Sequence, residues 1–239
     1  MKPTPRMNDR NLISLMTFLL LGLGISAQKV DSLELHKVDS NYLEDQFYVG
    51  LGYNALRDKP DLFSQRNLSF NLQLGFIKDI PLNAARNVGL GIGMGYAVNS
   101  YYSNMIATQG GSGTTYALVE ESEFRRSKLE THSLEFPLEL RWRTSNATDY
   151  RFWRIYGGAK LGYVFSGRSR LVLEGDRQGF SNGDIDPLQY GLILNVGYHT
   201  WNLHFYYGLN PLLEEGAQLD SGESLDLKVL RIGVIFYIL

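Results

Sequence analysis

The fold is indicated by residues 133–166, which read SLEFPLELRWR over 133–143, TSNATDY over 144–150 and RFWRIYGGAKLGYVFS over 151–166. In the first and third runs, large apolar side chains alternate with small or polar ones. Period two places alternate side chains on opposite faces of a β-strand. Two such strands joined by a short polar link predict an antiparallel hairpin. Their length, roughly ten residues or more, is typical of strands that cross a bilayer.

The same alternation recurs along the chain and predicts further strands. The expected strands are residues 46–56, 67–77, 87–99, 133–143, 151–166, 188–199, 201–209 and 225–239. The links after the odd-numbered strands are the longer ones, and long outer loops with short periplasmic turns are typical of outer-membrane barrels. The sequence therefore predicts an all-β protein, an eight-stranded antiparallel up-and-down transmembrane β-barrel over residues 46–239.

The N-terminus has the features of a secretory signal over residues 1–27. A basic start precedes an apolar run over residues 12–25, and a small-residue cleavage site ends at Ala27. A membrane anchor is the alternative, but the apolar run is shorter than the roughly 20 residues that span a bilayer. We expect export with cleavage of the signal, followed by a flexible, polar periplasmic lead-in over residues 28–45. An exported protein without a spanning helix can enter a membrane only as a closed barrel.

Alternation alone also fits a soluble, lipocalin-like barrel with its apolar faces inward. Two features favour the membrane barrel. The small face of the third strand is glycine from Gly89 to Gly95, as a narrow lumen requires, whereas glycine on a solvent face only weakens a strand. Aromatic residues also gather near strand ends, as in interfacial girdles. We therefore expect localisation in the cell outer membrane, with outer-membrane lipid against the apolar faces.

The membrane interpretation places a set of charged side chains in the lumen. They are Glu135, Glu139, Arg141, Arg143, Arg154, Lys160 and Arg231. Isolated buried ions are costly, so these groups must pair or be hydrated. One interpretation is an ion-pair network that plugs the barrel, and the other is a solvated polar interior without a special role. An open diffusion pore is not expected, because side chains fill an eight-stranded lumen.

Folding the central hairpin at its link predicts which residues face each other. Glu135 is expected roughly opposite Lys160, and Arg141 opposite Arg154. Pro137 cannot donate a ladder hydrogen bond, so a bulge or a missing bond is expected there.

Composition and spacing argue against most chemistry. The chain has no Cys, which excludes disulfides and thiol chemistry, and a net charge of −2 implies no nucleic-acid partner. His132 and Ser133 are neighbours on a strand and point to opposite faces, so they do not form a nucleophile–base pair. No phosphate loop or metal-ligand spacing is present in the sequence. We expect no catalytic residue, no metal and no cofactor.

Three stretches resemble the PorT-type outer-membrane barrel family of Bacteroidota. They are LEFPLELR over residues 134–141, GGAKLGYVFSGR over 157–168 and RIGVIFYIL over 231–239. Members of that family commonly show a LEIPLLLK-like strand and a glycine-rich G-x-K-x-G strand, which residues 158–162 match. The namesake of the family is implicated in type IX protein secretion. The resemblance thus implies an outer-membrane barrel, a link to secretion and no active-site residues.

These observations leave several functions open. The leading hypothesis is a non-enzymatic barrel with a structural or accessory role at the outer membrane. A second is a component of the type IX secretion system, with other envelope or secretion proteins as partners. A third is binding of a ligand or surface partner by the predicted loops over residues 100–126 and 167–187. A lipid-modifying enzyme would need a reactive serine or a carboxylate cluster at the membrane rim.

Overall fold

The structure, a computed structural model, describes residues 45–65, 67–111, 113–120, 122–144, 153–198 and 201–238. The strands in these ranges are β1 (Gln46–Arg57), β2 (Phe70–Pro81), β3 (Val88–Tyr102), β4 (Met105–Gly110), β5 (Gly113–Leu118), β6 (Arg126–Arg143), β7 (Trp153–Val172), β8 (Arg177–Ser181), β9 (Leu188–Tyr198), β10 (Trp201–Gly208) and β11 (Lys228–Ile238). The predicted signal and all of the predicted lead-in except Asp45 lie outside the described residues. Within those residues, no helix has the length and apolar character needed to cross a membrane.

Eight of the strands close into a barrel. They pair in the order β1, β2, β3, β6, β7, β9, β10 and β11, and β11 pairs with β1. Every one of these pairings is antiparallel. Closure leaves the wall without a free sheet edge, so each strand finds backbone partners on both sides. The predicted eight-stranded up-and-down barrel is confirmed.

Two of the predicted loops are partly β-structure. β6 begins at Arg126 and β7 continues to Val172, and the two strands pair over their whole length. β8 pairs with the outer part of β7, while β4 and β5 form a separate hairpin. Strands that already pair can extend their ladder one residue at a time, even into segments of polar composition.

Pro137 interrupts one of the two ladders of β6. The β3–β6 ladder shows no residue pairs at Phe136 and Pro137, although the register is the same on both sides of the gap. Gly93 lies across the gap, where an added Cβ would come within 3.0 Å of the proline ring. The ladder therefore lacks a bond at Pro137, as the sequence predicts. A register shift also occurs in β6, but it lies between His132 and Ser133 on the side that faces β7.

The two faces of the wall differ in the sense expected for a membrane barrel. Large apolar side chains point outward and are exposed along the strands, which excludes the lipocalin-like arrangement. Exposed aromatic residues form two rings, one at each end of this apolar belt. The ring at the short-link end contains Trp142, Trp153, Tyr198 and Trp201, and the ring towards the long links contains Tyr53, Tyr163, Tyr190 and Tyr207. Such rings are typical of membrane–water interfaces.

Candidate functional site

A buried ion cluster fills the lumen at the end of the short links. Nη1 of Arg141 lies 3.1 Å from Oδ1 of Asp79, and Nη2 of Arg143 lies 2.8 Å from Oδ2 of the same carboxylate. Nε of Arg141 lies 3.2 Å from Oε2 of Glu139. We term these residues, Asp79, Glu139, Arg141 and Arg143, the lower cluster. Asp79 bridges the two arginines, and Glu139 is a second carboxylate partner of Arg141.

Uncharged groups complete the surroundings of the lower cluster. Arg141 donates to Oε1 of Gln46 at 2.8 Å, and Glu139 accepts from the amide of Asn195 at 3.1 Å. The guanidinium carbon of Arg141 also lies 4.3 Å from the ring centre of Tyr156, a cation–π distance. These contacts offset the loss of water around buried charges, which ion pairing alone seldom does.

A second ion cluster lies nearer the middle of the lumen. Nζ of Lys160 lies 2.7 Å from Oε2 of Glu135, and Nη1 of Arg231 lies 3.5 Å from Oε1. We term Glu135, Lys160 and Arg231 the upper cluster. Neutral side chains also accept hydrogen bonds from its two cations. Lys160 donates to Gln73 at 2.7 Å, and Arg231 donates to Asn99 at 2.7 Å. A cavity of about 30 Å³ beside the cluster has room for one or two water molecules.

The register corrects one of the two expectations about the central hairpin. Arg154 faces Arg143 in the β6–β7 ladder, so the expected pairing of Arg141 with Arg154 is wrong by two residues. The error arose because β7 begins only at Trp153, which moves the midpoint of the link. Glu135 and Lys160 are shifted in the same way but still meet, because a lysine side chain reaches a diagonal neighbour. Arg154 itself lies 5.7 Å from the ring centre of Tyr237.

Asp79 was not predicted from the sequence, although it holds the lower cluster together. The sequence predicts that the second strand ends at Ile77, whereas β2 continues to Pro81. The signal was present in the alternation of β2. Its inward face runs Asn71, Gln73, Gly75, Ile77 and Asp79, and two more residues of the same pattern would have included the carboxylate.

His132 and His204 serve as hydrogen-bond partners of neighbouring side chains. Ser133 is buried towards the lumen, whereas Nδ1 of His132, on the other face of β6, lies 2.6 Å from the hydroxyl of Tyr96. His204 is buried and donates from Nδ1 to Asn195 at 2.6 Å. In the part of the chain that the structure describes, no group of three or more potential ligands is arranged to hold a metal ion.

An apolar cluster covers the lumen at the end of the long links. We term it the loop cap, and it contains Phe63, Met105, Tyr116, Ile185, Leu212, Leu213, Leu219 and Leu225. These residues come from each of the four long links and pack on wall residues such as Tyr101 and Tyr206. The hydroxyl of Tyr116 lies 3.1 Å from Asp184, and burial raises the pKa of Tyr116.

Comparison with known proteins assigns the barrel to a family. A model of the outer membrane protein beta-barrel domain matches residues 26–214. The chain belongs to this family. No curated protein sequence matches the chain. Among solved structures, this outer-membrane barrel is similar to Ail, the attachment invasion locus protein of Yersinia pestis, at 13% identity and a TM-score of 0.37. That alignment covers 81% of this chain and 97% of Ail. The family places the protein in the outer membrane.

Proposed function

We propose that this outer-membrane barrel is a non-enzymatic protein with a structural or accessory role, which acts through its outer surfaces rather than through its lumen. The filled lumen carries the proposal. The lower cluster, the upper cluster and the loop cap occupy successive levels between the short and the long links. Outer-membrane lipid contacts the apolar belt, and partners dock at either end of the barrel.

The ion clusters make passage of a solute unfavourable. Glu135, Lys160 and Arg231 are each at most 5% exposed and are bonded to one another across the lumen. A passing ion would have to replace these bonds in a space of about 30 Å³, which holds no more than a water molecule or two. Breaking a buried ion pair so that one charge is left without its partner costs roughly 3–5 kcal/mol.

Conductance across planar bilayers tests the closed lumen. The folded protein is expected to give no steady current, because both ion clusters stay paired. A matched variant with Glu135→Ala, Lys160→Ala and Arg231→Ala empties the middle level and is the control for incorporation of folded protein. Its folding is checked by comparing boiled and unboiled samples on a gel, since a closed barrel migrates differently before boiling. A steady current from the unchanged protein would contradict the proposal.

The PorT-like stretches support a second candidate, a component of the type IX secretion system. This role predicts other envelope or secretion proteins as stable partners, with docking at the periplasmic end or at the loop cap. Affinity purification from the native outer membrane, after mild cross-linking, should then recover the same envelope partner in each preparation. Deletion of the gene should leave secreted substrates inside the cell. Unchanged secretion in the deletion strain would remove this candidate and leave the accessory role standing.

A further inference from the structure

The outward face of β6, β7 and β8 is strongly basic beyond the apolar belt. The alternate residues that point outward include Arg126 and Lys128 on β6, Arg168 and Arg170 on β7, and Arg177 on β8. We term these five residues the basic wall. The ladder places Lys128 opposite Arg170, and Val172 stands between Arg126 and Arg177. The charges therefore form one patch across three neighbouring strands.

The basic wall stands directly above the level at which the apolar belt ends. Phe165 is 53% exposed on β7, near the ring of aromatic residues at the long-link end. Arg168 follows it by three residues, which is about 10 Å along a strand. Because barrel strands are tilted by roughly 35–45°, the height gained is about 7–8 Å. Arg168 therefore lies at the height of the lipid headgroups, immediately outside the hydrocarbon. Arg170 and Val172, the latter level with Arg126 and Arg177, follow farther out along the strand.

Few acidic groups neutralise the basic wall. On the outward faces of the described β6, β7 and β8, Glu130 is the one acid, and it contacts Lys128 and also Arg170 at 3.2 Å. No acid among the described residues lies within ion-pair distance of the three remaining arginines, Arg126, Arg168 and Arg177. Asp176 is near in sequence, but it accepts from the backbone N–H of Arg177 and from Gln178.

Two open grooves run along the basic wall. A groove of about 420 Å³ is lined by Arg125, Arg126, Lys128, Arg170 and Arg177. A neighbouring groove of about 380 Å³ shares two of these arginines and adds Arg168. Both grooves are open to solvent and lined mainly by basic and polar side chains.

We propose that the basic wall binds the phosphate groups of a glycolipid in the outer leaflet of the outer membrane. Guanidinium groups bind phosphate through paired, charge-assisted hydrogen bonds, and clusters of basic residues next to a membrane bind anionic headgroups. The height of Arg168, the member of the basic wall nearest the apolar belt, selects a membrane-held phosphate, because a headgroup beside the barrel is present at a high effective concentration. The inference requires the long links to face the cell exterior, as in other outer-membrane barrels.

Binding to purified lipopolysaccharide tests this proposal, with the full-length protein folded in detergent micelles. The probe is fluorescent lipopolysaccharide that carries its lipid A phosphates, and the comparison is the same material after chemical removal of phosphate. We expect the phosphorylated form to bind at least tenfold more tightly. Replacement of Arg168, Arg170 and Arg177 by Gln should weaken binding by at least about tenfold, because each basic residue near a membrane surface contributes about 1 kcal/mol to binding of an anionic headgroup. Equal binding of the two probe forms would overturn the proposal.

The matched control removes the same number of positive charges from the opposite wall. It replaces Arg57, Lys59 and Lys228 by Gln at the long-link ends of β1 and β11, three strands away from β6 and β7 on either side. Binding by this control should change less than twofold. If the control lost as much affinity as the basic-wall variant, net charge alone would govern binding, and the proposal would be overturned. Should the triple variant fail to fold, the single change Arg177→Glu at the sheet edge gives the same comparison.

Two competitors identify the source of the phosphate. Inorganic phosphate at millimolar concentration should not displace the labelled glycolipid, because a free ion lacks the acyl chains that hold it beside the wall. Displacement at that concentration would point to a site for a soluble anion and would overturn the assignment. A sulfated polysaccharide that binds more tightly than the glycolipid would overturn it in favour of a surface polymer.

Discussion

The two ends of the barrel interior are filled by opposite kinds of side chain. Towards the short links, strand residues fill the lumen with ion pairs, whereas at the other end the long links fill it with an apolar cap. In the lumen a buried side chain contributes mainly through its partners, because a charge left alone is costly. In the loop cap it contributes through apolar area and close packing, as in a soluble core. Substitutions at the two ends should therefore fail in different ways.

The largest effect is expected for Asp79→Ala in the lower cluster. The change leaves Arg141 and Arg143 without the carboxylate that bridges them, and should lower the free energy of unfolding by roughly 3–5 kcal/mol. Urea unfolding of the protein in lipid vesicles, followed by tryptophan fluorescence, measures it. The control is Lys78→Ala on the other face of β2, whose side chain is 53% exposed and whose surface pair with Asp45 should contribute less than about 1 kcal/mol. A loss below 1 kcal/mol for Asp79→Ala would mean that water solvates the cluster.

The upper cluster should show strong coupling in a double-mutant cycle. Glu135→Ala leaves two cations, Lys160 and Arg231, whereas Lys160→Ala leaves the carboxylate with one arginine. The glutamate variant should therefore lose more stability than the lysine variant, and the coupling between the two changes should reach about 2 kcal/mol. The surface pair Asp58 and Lys228, 3.1 Å apart, is the reference and should couple by less than about 1 kcal/mol. Additive losses at Glu135 and Lys160 would favour the solvated interior.

The loop cap should fail locally rather than globally. Leu213 is 1% exposed, and Leu213→Ala removes packing worth about 2–5 kcal/mol in a buried core. We expect faster protease cleavage within residues 209–227, while the gel shift between boiled and unboiled samples stays unchanged. Leu62→Ala is the control, because that side chain is 89% exposed. Loss of the gel shift in the Leu213 variant would show that the cap and the wall unfold together.

The smallest effect is expected at the periplasmic surface, where Asp45 pairs with Lys78. Partial burial raises the pKa of the Asp45 carboxyl, but hydrogen bonds from Lys78 and from the Asp79 amide outweigh it and hold the pKa below its usual value. The stabilisation is therefore present above the unfolded pKa of about 3.9 and is lost as the pH falls through the folded pKa. Asp45→Asn should lower stability slightly at pH 7 and not at all near pH 2. Equal effects at both pH values would contradict the ion pair.

The predictable part of the molecule was the part governed by local alternation. Leu134 to Trp142 on β6 and Trp153 to Phe165 on β7 show their outward face in the sequence alone, because a strand repeats every two residues. The missing ladder bond at Pro137 followed from the chemistry of one residue. The loop cap was not predicted, because its residues become apolar neighbours only when four separate links meet.

Sequence by itself thus determined the barrel, the number of its strands and the face turned to lipid, together with seven of the charges expected to turn inward but not Asp79. Tertiary structure alone decided which of those charges meet. Arg141 and Asp79 are 62 residues apart in the chain and lie 3.1 Å apart in the lumen, because β6 and β2 stand on either side of β3. Register and closure bring such residues together, and no local pattern encodes either. The loop cap and the basic wall depend on tertiary structure for the same reason.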